Sequence, residues 1–130
     1  MNNISVTGKY GEDLACKYLE ECGYQIIGRN FRKAWGEIDI IGKDGEVLVF
    51  IEVKTIRQSL PDFQNDSGIT PEDNLTKSKL KKVQKTAGMF AGKHSELIHE
   101  NFGWRIDLVA IDVPEVGEPK IRHYKNVSLD

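Results

Sequence analysis

Four side chains, Glu37, Asp39, Glu52 and Lys54, carry the strongest chemical signal in this 130-residue chain. They sit in Gly36-Glu-Ile-Asp-Ile-Ile and Val47-Leu-Val-Phe-Ile-Glu-Val-Lys54, two apolar, strand-like runs on either side of Asp44-Gly45. An Asp-Gly pair between such runs is a strong hairpin signal, because tight hairpin turns need a positive φ. Folded in the simplest register, Lys43 opposes Glu46, Asp39 faces Phe50, Glu37 faces Glu52 and Trp35 faces Lys54. Side chains alternate along a strand, so all four ionic groups project from one side. Asp39 and Glu52 become diagonal neighbours with Cβ atoms roughly 7–8 Å apart. Carboxylates gathered at the end of an apolar strand repel one another, and a divalent cation removes the repulsion. Oxygen-only ligands favour Mg²⁺ or Mn²⁺ over zinc. With a lysine beside it, such a cation suits phosphodiester hydrolysis: it polarises a phosphoryl oxygen and acidifies water, while the ammonium offsets developing charge.

The elements that must position these groups emerge from periodicity. A helix is expected from about Thr7 to Cys22, with Leu14, Ala15, Tyr18, Leu19 and Cys22 on one face and Gly23 as its stop. Glu12 lies at the edge of that stripe, where its carboxylate could reach over the core toward a strand. Tyr24–Phe31, Glu37–Ile41 and Val47–Lys54 read as strands, the last apolar enough to be covered on both faces. Residues 59–74, with two prolines and no periodicity, read as a long, mobile surface loop. A second helix is expected from Thr76, its cap, to about Ala91, with Gly92 as its stop and Leu80, Val83, Ala87 and Phe90 buried. Trp104–Val113 and Ile121–Val127 complete an α-β-β-β-α-β-β order, a mixed sheet flanked by helices.

Length and composition set the frame. The chain is sized for a single domain, 1–130, able to bury a core without staples. Its 39% apolar and 29% charged residues exclude wholesale disorder. No apolar run approaches the ~20 residues of a membrane span and the first residues lack a signal-peptide core, so a cytoplasmic location is the expectation. The net charge of −2 argues against coating nucleic acid by bulk charge. Its distribution is uneven: positions 77–85 hold five lysines and no acid. Lys77, Lys81, Lys82 and Lys85 gather on one exposed side of the second helix, with Lys79 on the opposite flank of its apolar stripe. Together they are candidates for phosphate contact. Cys16 and Cys22 are too far apart along a helix for a disulfide and read as buried thiols. His94 and His99 lack metal-site spacing, His123 reads as a surface or edge histidine, and Asp107 as a structural carboxylate within an apolar strand. Trp35 and Trp104 read more readily as core than as base-stacking platforms.

The run Gly36-Glu-Ile-Asp-Ile-Ile followed by Val49-Phe-Ile-Glu-Val-Lys54 resembles the PD-(D/E)xK nuclease core of restriction endonucleases and Holliday-junction resolvases. Over most of its length the chain is similar to the YraN-type family of small bacterial proteins. That likeness covers Gly11-Glu12, Ala15, Tyr18-Leu19, Arg29-Asn30-Phe31, both strand motifs, Lys79, Val83, Ala87, Phe90 and Trp104–Ile111. The resemblance implies an α/β, restriction-endonuclease-like three-layer core with a mixed sheet of about five strands. It implies Asp39 and Glu52 as metal ligands, helped by a backbone carbonyl beside Glu52. It further implies Glu12 as an additional metal-binding helix carboxylate and Lys54 as the catalytic lysine. Ile38 stands where the superfamily has proline, and Ile56 where the family has a basic residue.

The expected function is therefore a Mg²⁺- or Mn²⁺-dependent endonuclease acting on DNA, with branched DNA implied by the resolvase likeness. A homodimer would result if two strands are cut symmetrically. Two alternatives belong to other classes: a non-catalytic nucleic-acid-binding module that retains the fold, and an accessory protein docking a partner through 59–74.

Overall fold

The computed structural model describes residues 3–58 and 77–128; the loop expected at 59–74 and the Thr76 cap lie outside them. In chain order the elements are α1 (Asn3–Glu21), β1 (Gln25–Lys33), β2 (Gly36–Asp44), β3 (Val47–Gln58), α2 (Lys77–Lys93), β4 (Trp104–Pro114) and β5 (Lys120–Tyr124), with a single 3₁₀ turn at Ser95–Leu97. The strands form one sheet in the order β1-β2-β3-β4-β5. β1, β2 and β3 are antiparallel neighbours, β3 and β4 are parallel, and β5 returns antiparallel. The parallel step requires a long connection, and α2 lies on it.

β3 is central and reads as an apolar run because each face is covered by a different helix. Val49 and Ile51 pack with Ala15, Cys16 and Leu19 of α1, joined by Ile40, Val109 and Ile111. Leu48 and Phe50 pack with Leu80, Val83, Ala87 and Ala91 of α2, joined by Ile38, Ile41 and Ile106. Each fully buried Ile, Leu or Phe contributes roughly 1.5–3 kcal/mol, so the two layers hold the strands from both sides. This is the three-layer, restriction-endonuclease-like α/β core.

Several expectations need correction. The hairpin pairs Asp44 with Val47 and Ile40 with Ile51, two residues away from the simplest register. The turn residues are Gly45 and Glu46, and only Gly45 takes a positive φ (63°), the pattern of a type II′ turn. A shift of two keeps every side chain on its face, whereas a shift of one would reverse them all. α1 starts four residues before Thr7, and α2 continues through Gly92 to Lys93, a late glycine being tolerated once the turns before it are packed. β1 runs on to Lys33, while β5 stops at Tyr124, short of Val127. Cys16 is buried as expected, but Cys22, beyond the helix end, is exposed; neither is in a disulfide. No helix among the described residues is long and apolar enough to cross a membrane.

Candidate functional site

The β2–β3 ladder ends at Ile40–Ile51, and beyond that pair the two strands fork. Strict alternation cannot place both Ile38 and Ile41 on the α2 side with Ile40 on the α1 side, so β2 changes its facing at Asp39. The Asp39 side chain fills the gap: its Oδ2 accepts the Val53 N–H at 2.8 Å, where a strand carbonyl would otherwise stand. Glu52 continues the α2-facing series of Leu48 and Phe50, and is only 4% exposed. The two carboxylates thus converge on the floor of the fork.

Their electrostatics are those of a pair without a full set of partners. Burial, then the neighbouring Asp39 charge, pushes the Glu52 carboxyl up to about 8, against the pull of the Lys79 ammonium. Burial also raises Asp39, although the Val53 N–H and Lys79 pull it down. Lys79 Nζ stands 3.8 Å from Glu52 Oε2. Glu52 Oε1 is buried with no hydrogen-bond partner among the described residues. An orphaned carboxylate oxygen beside a second carboxylate is a costly arrangement that a cation would relieve. Mg²⁺ is commonly held by one or two carboxylates, with the remaining oxygens supplied by solvent and phosphate. The donor set fits such an ion, Asp39 and Glu52 being the residues that would hold it.

Above this floor lies a cavity of about 750 Å³ between the β1–β2 turn and the first half of α2. One wall carries Lys33, Trp35 and Glu37, and the other Ser78, Lys79 and Lys82. The walls meet because Gly36 has no side chain: a Cβ there would collide with Thr86 Oγ1 of α2. Thr86 is held in turn by donating to the Lys82 carbonyl at 2.9 Å.

The structure sorts the expected site residues. Asp39 and Glu52 come together. Lys54 lies two residues beyond Glu52 on β3, half-buried, and does not line the cavity. Glu12 does not line it either. Arg29 holds Glu12 at 3.4 Å and Asp13 at 2.8 Å. Burial and the Asp39 charge still raise Glu12, so it lies within electrostatic reach of the pair. Among the described residues no group of three His, Cys, Asp or Glu is placed to hold a metal. The five helix lysines also divide: Lys79 and Lys82 line the cavity with the carboxylates, whereas Lys77, Lys81 and Lys85 are exposed away from it. Lys79 and Lys82 are three residues apart and so neighbours on one side of α2, which is why both reach the cavity. Trp35, expected in a core, is 39% exposed at the cavity mouth, and Trp104 packs edge-on against Phe50 at a rim.

Asp107 is a structural carboxylate, as expected, but of unusual completeness. It accepts from Tyr24 Oη (2.9 Å), Arg105 Nε (2.9 Å) and the Asn126 N–H (3.1 Å), and lies 2.8 Å from His123 Nε2. Burial would raise its pKa, but the bonds from His123, Arg105, Asn126 and Tyr24 hold it down at about 2. His123 lies on an edge strand, one of the two expectations for it, but it is not a surface histidine. Its side chain is 7% exposed, with Tyr18 Oη at 3.0 Å from Nδ1. His94 stacks on Phe90, and His99 accepts the Asn101 N–H.

Known proteins share this sequence over most of its length. Residues 11–111 match the model of the uncharacterised protein family UPF0102. A UPF0102 protein of Streptomyces griseus is 39% identical over 128 residues, covering 98% of this chain and 100% of the relative. One from Dehalococcoides mccartyi is 40% identical, covering 95% and 93%, and one from Geobacter sulfurreducens 37% identical, covering 93% and 87%.

Proposed function

We propose that this chain, which belongs to the uncharacterised protein family UPF0102 (the YraN-type family), is a metal-dependent nuclease hydrolysing phosphodiester bonds in DNA, branched DNA included. One observation carries the reading: a buried carboxylate with an orphaned oxygen, Glu52, and a half-buried one beside it, Asp39, form the floor of a lysine-walled cavity. Neither a core nor a simple salt bridge has a use for that combination. Mg²⁺ or Mn²⁺ between Asp39 and Glu52 would supply Lewis acidity and cancel the repulsion between the carboxylates and an incoming phosphate.

The chain's own groups divide the remaining work. The Val53 N–H fixes the orientation of Asp39. Lys79 and Lys82, on the wall facing Trp35, bind phosphate oxygens and draw the backbone of the substrate toward the floor. Lys54, two residues beyond Glu52 on β3 and outside the cavity lining, would offset charge developing on the phosphoryl group by turning its flexible side chain toward the floor. Glu12 tunes the pair through space, its own charge bound by Arg29.

The test is cleavage of labelled single strand, duplex, fork and four-way junction in Mg²⁺, Mn²⁺ or EDTA, with Asp39→Ala and Lys54→Ala alongside. Cutting that requires the metal and is lost in both variants is the expected result. Absence of cutting on every substrate, with wild-type and Asp39→Ala proteins binding DNA equally, would instead favour a non-catalytic binding module.

A further inference from the structure

Trp35 occupies an odd place for a large aromatic side chain. It is in the two-residue turn between β1 and β2, 39% exposed, and it lines the same cavity as the carboxylate pair. The turn itself is anchored, because Gly36 is pressed against Thr86 and a Cβ there would collide with it. The indole is therefore presented from a fixed support rather than from a loose loop. Three lysines share its cavity: Lys33 on its own hairpin, whose ammonium lies 5.4 Å from the centre of the Phe31 ring, and Lys79 and Lys82 on α2. An aromatic side chain and several cations lining one cavity are the combination that binds a base and its adjoining phosphates.

The same features select the chemistry of the partner. Inside a duplex both faces of every base are covered by its neighbours, so an indole has nothing to stack on; an unpaired or extruded base offers its face. A cavity of about 750 Å³ falls within the range of small-molecule sites (roughly 300–1,000 Å³) and is suited to a nucleotide rather than to a helix. We propose that this cavity holds an unpaired nucleotide of a single-stranded or locally opened nucleic acid, its base stacked on Trp35 and its phosphates on Lys33, Lys79 and Lys82. The assignment deepens the nuclease reading and rests on it for the path of the phosphodiester past Asp39 and Glu52. It makes opened DNA, at a fork, flap or junction arm, a better substrate than continuous duplex.

Binding tests this apart from cleavage. In an Asp39→Asn background, which keeps the probe intact, fluorescence anisotropy would compare labelled oligothymidylate, an abasic strand of equal length and a blunt duplex. Oligothymidylate is expected to bind more tightly than either of the others. Trp35→Ala should weaken oligothymidylate about tenfold and leave the abasic strand unchanged, while Trp35→Phe recovers most of the loss. Lys82→Gln should lower the slope of log K against log salt by about 0.7, for the abasic strand as well. Circular dichroism of each variant confirms that the fold is retained. Equal affinity of the Trp35-bearing protein for abasic and base-bearing strands, or no effect of Trp35→Ala on oligothymidylate, would overturn the proposal. Failure of the nuclease reading shows elsewhere, as absence of metal-dependent cutting by the unmodified protein, and leaves these binding ratios readable.

Discussion

Glu52 and Asp107 lie on neighbouring central strands and are buried to almost the same degree, 4% and 0% exposed, yet they are opposite kinds of carboxylate. Asp107 is surrounded by donors from β4, β5 and the chain on either side of the sheet, and burial is outweighed by hydrogen bonds that favour its charge. Glu52 has an acidic neighbour, one lysine at 3.8 Å and an orphaned oxygen, and burial wins. Burial alone therefore does not separate structure from function. The completeness of the partners does: a charge surrounded by protein donors holds the fold, and one left open toward a cavity is prepared for something that arrives later.

The contrast can be broken most directly at Asp107. Asp107→Ala leaves Arg105 and its neighbours without their common acceptor and should cost about 3–5 kcal/mol in urea unfolding. A loss below about 1 kcal/mol, the worth of one ordinary hydrogen bond, would remove the structural half of the comparison. At the other carboxylate site the effect should fall on activity. Asp39→Asn is expected to lower metal-dependent cleavage by about 10²–10³-fold, with a melting temperature no lower than wild type.

The two carboxylates should also respond to pH in opposite senses. Glu52 is raised in the folded state, which then holds a proton that the unfolded chain has lost, so stability falls as pH rises from about 4.5 toward 8. The slope approaches about 1.4 kcal/mol per pH unit where only the folded form is protonated. Glu52→Gln should flatten that limb. Asp107 is lowered, so its contribution is present above about pH 4 and disappears as pH falls toward 2. Urea midpoints across this range check both limbs. The smallest effect belongs to His123→Phe, which removes one of several donors and should cost about 1 kcal/mol.

Much of the carboxylate site was legible in the sequence because it is local. A tight hairpin joins Asp39 to Glu52, and alternation counted from Ile41 and from Phe50 gives both the α2 side even when the register slips by two, although the change of facing at Asp39 that brings Ile38 to that side as well is not legible. The Asp107 hub was not, since Tyr24 and His123 reach it from 83 and 16 residues away and no periodicity links them. For the same reason His123 reads only as a surface or edge residue, and its burial against Tyr18 and Asp107 is hidden. Lys79 and Lys82 can be placed on a helix, but which part of that helix overhangs the β2–β3 fork depends on tertiary packing. The exposure of Trp35 is hidden because hydrophobicity argues for a core, and only the Gly36–Thr86 contact reveals that its turn is held against α2 with the indole outward. Glu12, implied as a metal ligand by family likeness, is held by Arg29 instead of lining the cavity.

If Asp39 and Glu52 form an incomplete site, a divalent cation should complete it and stabilise the fold by doing so. Thermal melting at pH 8 with and without Mn²⁺, for wild type, Glu52→Gln and Asp107→Asn, measures this most directly. Millimolar Mn²⁺ is expected to raise the melting temperature of wild type and of Asp107→Asn, and to leave Glu52→Gln where it was. An equal rise in Glu52→Gln, or no rise in wild type, would contradict a cation held between the two carboxylates.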